Sequence, residues 1–328
     1  MRWVPKPLAT AMLVGLLMSA ACDGGPQPVP SYGNLAWKAL ASAPSERTEV
    51  AATALDGRIY VAGGYRADGG TLATVEIFDT ATGRWTGGPD LPVPVNHAMA
   101  VTAGDSVYVL GGYDSSGKAF AGAFRFDGGA WRSVSPLPEP RAAGTAAVVG
   151  GKVYVAGGIG SGGALAGTML VYDVAGDRWS TALGPPTPRE HLGGAGFDGH
   201  LYTVGGRTGA GNLAAFEDFT VATGQWSSRP ALPTARGGLA AAPTCDGRII
   251  AVGGEAQSTF AEAEVFDTKS GSWRALPALP TPRHGLGVVS VGTTLYTLAG
   301  GPRPGLHVSG VLEAIDLASL GACPTPSV

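Results

Sequence analysis

One feature constrains this chain more than any other: a pair of glycines ends an apolar strand-like run five times at nearly even spacing. The pairs are Gly63-Gly64, Gly111-Gly112, Gly157-Gly158, Gly205-Gly206 and Gly253-Gly254, and a sixth run closes on Ala299-Gly300-Gly301. Aligning Ala299 with the first glycine keeps Tyr296 level with Tyr60, Tyr108, Tyr154 and Tyr202. The steps are then 48, 46, 48, 48 and 46 residues. Six tryptophans march in the same phase: Trp37, Trp85, Trp131, Trp179, Trp226 and Trp273. A fixed period of this length marks a repeat architecture.

Each unit holds four short apolar segments separated by turn signals. In the third unit strand a is expected over about Gly144–Val149, strand b over Lys152–Ala156, strand c over Met169–Asp173, and strand d around Trp179. Gly150-Gly151, Ser161–Gly167 and Ala175-Gly176-Asp177 break them. Four antiparallel strands per unit, repeated six times, predict an all-β, six-bladed propeller. A lone blade has two apolar faces, and stacking six around an axis buries both. The chain opens on a tryptophan segment, Trp37–Leu40, with no strands before it, and ends on Val311–Leu317, a strand c with no tryptophan after it. The first segment is therefore expected to complete the last blade and close the ring.

The motifs resemble Kelch repeats. The double glycine is joined by Glu-x-x-Asp in strand c (Glu76–Asp79, Glu264–Asp267, Glu313–Asp316) and by Gly-x-Trp (Gly83–Trp85, Gly224–Trp226, Gly271–Trp273). Phe124 and Leu170 stand in place of the Glu, and Thr220 in place of the Asp. The resemblance covers residues 36–316 and implies the propeller fold and a binding role, since fold alone does not fix function. The tryptophans are expected as blade packing rather than as a sugar-stacking ladder. A buried tryptophan is also the expected neighbour of each double glycine.

Outside the repeats, Arg2 and Lys6 precede an apolar stretch, Leu8 to Met18, too short to span a bilayer comfortably. Small residues then lead to Cys22. This is the layout of a secretory signal, and Leu17-Met18-Ser19-Ala20-Ala21-Cys22 resembles a bacterial lipobox. The expected organisation is a signal peptide over 1–21, a lipidated Cys22 with a flexible tether over 22–35, the propeller over 36–318 and a tail over 319–328. The expected location is the bacterial envelope, with the membrane reached only through the lipid. An exported chain permits disulfides. Cys245 falls at the a–b turn of the fifth blade and Cys323 just past strand c of the sixth, so the two are expected to share a face and to pair, or else to remain two free thiols.

The net charge of −3 gives no argument for nucleic acid. The informative polar set lies between strand d of one blade and strand a of the next, where Leu-Pro-x-x-Arg supplies Arg47, Arg141, Arg189, Arg236 and Arg283. The second unit has Val95 there, followed by Asn96 and His97. Two readings follow. Five guanidiniums around one channel mouth would attract anions, with Glu49, Glu139 and Glu190 neutralising part of the ring. Alternatively, a residue repeated in nearly every blade is scaffold, bonding backbone carbonyls. The b–c loops share that face, and Tyr65, Tyr113 and Arg207 begin three of them.

Of five histidines (His97, His191, His200, His284, His307), His97 and His191 occupy equivalent repeat positions. A metal site needs a third ligand, and no spacing supplies one, so no metal and no cofactor are expected. There is no Gly-x-Ser-x-Gly elbow, phosphate loop or His-Glu-x-x-His. The leading expectation is a monomeric interaction module presenting one face to a protein, peptide or glycan, with Arg47, Arg141, Arg189, Arg236, Arg283, Tyr65, Tyr113 and Arg207 as contacts. The alternative is an enzyme resembling the sialic-acid mutarotases, with arginine holding a sugar carboxylate and Glu49, Glu190 or His191 moving protons.

Overall fold

A computed structural model describes Met1 and residues 29–323. Six four-stranded antiparallel sheets follow one another around an axis. In the third blade the strands are Thr145–Val149, Lys152–Ala156, Thr168–Asp173 and Arg178–Leu183, each pairing with the next. Alternating small and apolar residues on each strand a face the axis, and buried runs such as Val153–Ala156 fill the space between sheets. Among the described residues no helix is long and apolar enough to cross a membrane.

Closure occurs as the sequence requires. Trp37–Ala39 pairs antiparallel with Leu312–Asp316, in the register Trp37 to Ile315, Lys38 to Ala314 and Ala39 to Glu313. The sixth blade is thus made from both ends of the chain.

Three rings of hydrogen bonds tie neighbouring blades. In the outermost, the Nε1–H groups of all six repeat tryptophans donate to a carbonyl at or just beyond the end of strand d of the preceding blade: Trp85 to Ala41, Trp131 to Pro89, Trp179 to Ser135, Trp226 to Leu183, Trp273 to Pro230 and Trp37 to Pro277, at 2.7–2.9 Å. Only Trp273 is fully buried; the others are half-buried edges that lace the rim. The neighbour of the double glycine is accordingly not a tryptophan ring. It is the next blade's backbone. A Cβ on Gly63 would lie 2.2 Å from the Val95 carbonyl oxygen, and one on Gly111 would lie 2.1 Å from that of Arg141. Each following glycine N–H donates to that same carbonyl, from Gly64 to Val95 through Gly300 to Arg47, at 2.8–2.9 Å. Ala299, with φ of 54°, adopts the left-handed conformation of the first glycines, which places it in their series.

Residues 29–35 depart from the expected loose tether. Ser31 bridges parallel to Ala275, with Tyr32 N–H donating to the Ala275 carbonyl and Ala275 N–H to that of Pro30. Arg274 lies 5.0 Å from the centre of the Tyr32 ring. This segment adds a short outer strand to the fifth blade. The signal segment, Cys22 and residues 324–328 lie outside the described residues. Cys245 and Cys323 form a disulfide with Cα atoms 5.1 Å apart, pinning the chain's end to the fifth blade.

Two outcomes are expected. Deleting residues 29–42 should leave Leu312–Asp316 as an open edge and convert a cooperative thermal transition into a broad one with aggregation, read by calorimetry and sedimentation. Cys323→Ser opens a loop spanning 78 residues and should lower the unfolding free energy by up to about 4.5 kcal/mol in urea titrations.

Candidate functional site

The arginines were the first candidates, and the structure removes them from the channel mouth. Arg47, Arg141, Arg189, Arg236 and Arg283 are all 0 % exposed. Each guanidinium turns back into its own blade and donates to the carbonyl of the first residue of the double-glycine turn: Arg47 to Gly63, Arg141 to Gly157, Arg189 to Gly205, Arg236 to Gly253 and Arg283 to Ala299. A buried charge must be matched. The strand-c glutamate matches it in four blades: Glu76 at 3.1 Å from Arg47, Glu217 at 2.6 Å from Arg189, Glu313 at 2.7 Å from Arg283, and Glu264 against Arg236. Burial pushes Arg47, Arg189 and Arg283 below the usual arginine range, and these carboxylates oppose it.

The two exceptions make the coupling visible. In the third blade Leu170 replaces the glutamate, and Glu139 reaches Arg141 at 2.5 Å instead. In the second blade both charges are gone, with Val95 and Phe124 buried in their places. Neither an anionic peptide nor a sugar carboxylate can reach these guanidiniums, so the arginine contacts expected of both the binding and the mutarotase readings are withdrawn.

What does surround the channel mouth is the residue two positions further on in each blade. Glu49, His97, Ala143, His191, Gly238 and Gly285 all take positive φ, between 51° and 69°. Their backbones form the innermost ring. His97 N–H donates to the Glu49 carbonyl, Ala143 to His97, His191 to Ala143, Gly238 to His191 and Gly285 to Gly238, and Val50 N–H closes the circle on Gly285. This geometry aims the Glu49, His97 and His191 side chains at one place.

Around them stand the b–c loop residues, each held by a backbone bridge to the residue after the arginine position: Tyr65 to Thr48, Tyr113 to Asn96, Arg207 to Glu190 and Glu255 to Gly237. Tyr65 and Tyr113 meet the His97 ring edge-on, at 5.8 and 5.4 Å between centroids. Burial raises both phenols above the usual tyrosine value. Arg207 is bound on both sides, by Glu190 at 3.1 Å and Glu255 at 2.7 Å. Burial alone would lower its pKa, but the two carboxylates raise it.

His284 completes the charge pattern. Its Nε2 contacts the carbonyls of Arg303 and Gly305, and its Nδ1 lies 3.2 Å from Glu49 and 3.5 Å from Glu255. Both nitrogens face acceptors, which favours the charged ring. Burial opposes this state, but Glu49 and Glu255 outweigh it and raise the His284 pKa. Tyr65, Tyr113 and Glu190 also line an open cleft of about 910 Å³ beside the mouth, with Lys118 and Ile159 on its far wall. Sequence reasoning missed Glu255 and His284; both sit at repeat positions already marked out by Arg207 and Asn96.

The comparisons with known proteins now have a frame. The Kelch motif matches residues 46–92, 140–182 and 236–280, which begin at the first, third and fifth blades. The propeller carries Kelch motifs. Proteins similar to this chain include the Kelch-like protein terF of Aspergillus terreus, 28 % identical over 62 % of this chain and 49 % of that protein. Beta-scruin of Limulus polyphemus is 32 % identical over 23 % of this chain and 8 % of its own length. An F-box/kelch-repeat protein of Arabidopsis thaliana is 33 % identical over 23 % of this chain and 20 % of its own. The chain spans about half or less of the length of each.

The Arg–Glu coupling is testable. Arg47→Val alone strands Glu76 and should cost about 3–5 kcal/mol. Adding Glu76→Phe copies the second blade and should recover at least half of that loss in chemical denaturation.

Proposed function

We propose that this Kelch propeller is an interaction module whose ligand face is the channel mouth and its b–c loops. One observation carries the reading. The blade-to-blade scaffold repeats around the ring, while the loop-opening positions on this face differ from blade to blade: Tyr65, Tyr113, Ile159, Arg207, Glu255 and Gly301. The cleft on this face is large enough for an extended segment. No arginine lines it, and Arg207 is already spent on Glu190 and Glu255. Recognition therefore falls to the tyrosine edges, the single Lys118 cation and loop backbone, chemistry suited to a peptide, protein loop or glycan without dense negative charge. Neutral and acidic probes from peptide and glycan arrays should separate on this point. Tyr65→Ala and Tyr113→Ala should each weaken the best neutral probe at least tenfold, and Lys269→Ala, on the opposite face, should leave it unchanged. Equal loss on all three changes would place the ligand elsewhere.

The same proposal places the module outside the cytoplasm, tethered through Cys22 to a bacterial envelope. The Cys245–Cys323 disulfide supports an oxidising compartment, and the residues before Cys22 support the lipid. Labelled palmitate should enter the chain in a lipoprotein-processing host and be lost with Cys22→Ala; label that persists would overturn the anchor.

A further inference from the structure

We propose that Glu49, His97 and His191 form a binding site for a divalent transition-metal cation of the zinc class at the channel mouth. One ligand atom from each of the three lies within 4.8 Å of the other two. They come from three blades and share no local sequence motif. The spacing is wider than the roughly 3.3–3.5 Å between donors around tetrahedral zinc, so the side chains draw in on binding. The side chains are 9–12 % exposed, sheltered but open to the mouth.

The hydrogen bonds around the cluster select the ligating form of each imidazole. Asn96 donates its amide N–H to Thr71 Oγ1 at 3.0 Å, which turns its oxygen toward His97 Nδ1 at 2.6 Å. His97 Nδ1 therefore carries the proton. Its bare Nε2 lies 3.2 Å from a Glu49 oxygen. Two acceptors face each other there, and a cation between them removes the conflict.

His191 is prepared in the same way. Its Nδ1 lies 2.7 Å from Glu190, whose other oxygen accepts from Arg207. The carboxylate fixes the tautomer and leaves Nε2 free, an arrangement that raises ligand basicity in metal sites. One Glu49 oxygen faces His284 Nδ1 at 3.2 Å, and the other faces His97 Nε2 at 3.2 Å. His284 occupies one oxygen and leaves the other for the metal.

Three protein ligands leave the fourth metal position open to water or to a ligand in the cleft.

The test uses the full chain with the Cys22 thiol alkylated, stripped by chelator and titrated calorimetrically with zinc chloride, with cobalt(II) absorption as a second readout. One equivalent should bind at submicromolar Kd. His97→Ala and His191→Ala should each weaken binding at least 100-fold, and Glu190→Gln about 10- to 100-fold, while His200→Ala leaves it unchanged. Near-UV circular dichroism checks folding, and His191→Gln replaces any variant that fails. Stoichiometry below one, or a His97→Ala/His191→Ala double variant binding within threefold of the unmodified chain, would overturn the site.

Discussion

The structure rests on inter-blade hydrogen bonds that close on themselves. A sheet edge presents unpaired donors and acceptors, and an open stack of sheets would end on two such surfaces. Here the tryptophan lacing, the double-glycine contact and the left-handed inner turn each run through all six blades and return to the start. The inner circle returns only because Trp37–Ala39 zips onto Leu312–Asp316, which fixes Arg47 beside Gly300 and Val50 beside Gly285. Local interactions along the chain cannot supply that last join. It is the long-range contact that makes the other five cooperative.

The same contact explains why arginine is buried. The double-glycine turn brings two backbones together at a spot where a Cβ would clash with a carbonyl. The carbonyls that turn inward from it need donors, and water is excluded. A guanidinium offers several donors on one rigid fork, so Arg283 meets the Ala299 carbonyl, the Val311 carbonyl just before strand c, and Glu313 together. The glutamate is then required by the charge. Val95 and Phe124 show the other solution, in which donor and counter-charge leave as a pair.

Six blades, the tryptophan phase, the composite last blade and the place of Ala299 were all legible in the sequence, because each follows from spacing. The direction of a long side chain was not. Periodicity puts an arginine near the mouth, but whether it extends into the channel or folds back depends on the carbonyls left bare by the neighbouring turn. Glu49 shows the same limit. Spacing offers it as a counter-ion for the arginines or, with Glu190 or His191, as a proton carrier, but that it faces His97 at 3.2 Å depends on how the ring closes. The segment Pro28–Tyr32 has the composition of a linker, and nothing local in it reveals that Ser31 finds a partner at Ala275.

In a propeller of near-identical blades, chemistry is found where the repeats differ at a position the scaffold holds fixed. The inner ring is such a position, since its backbone bonds are the same in every blade whatever the side chain. Its occupants are uneven: one carboxylate, two imidazoles, one methyl and two glycines. The small residues matter as much as the large ones. Ala143 separates His97 from His191 along the chain, and a longer side chain there would occupy the space in which the two rings meet at 4.8 Å between centroids. Gly285 leaves room for the Glu49 carboxylate, which a Cβ there would meet at 2.5 Å, so Glu49 stands between His284 and the inner-ring His97. The inner-ring carboxylate and imidazoles come from the first, second and fourth blades, and the His97 ring stands between those of Tyr65 and Tyr113.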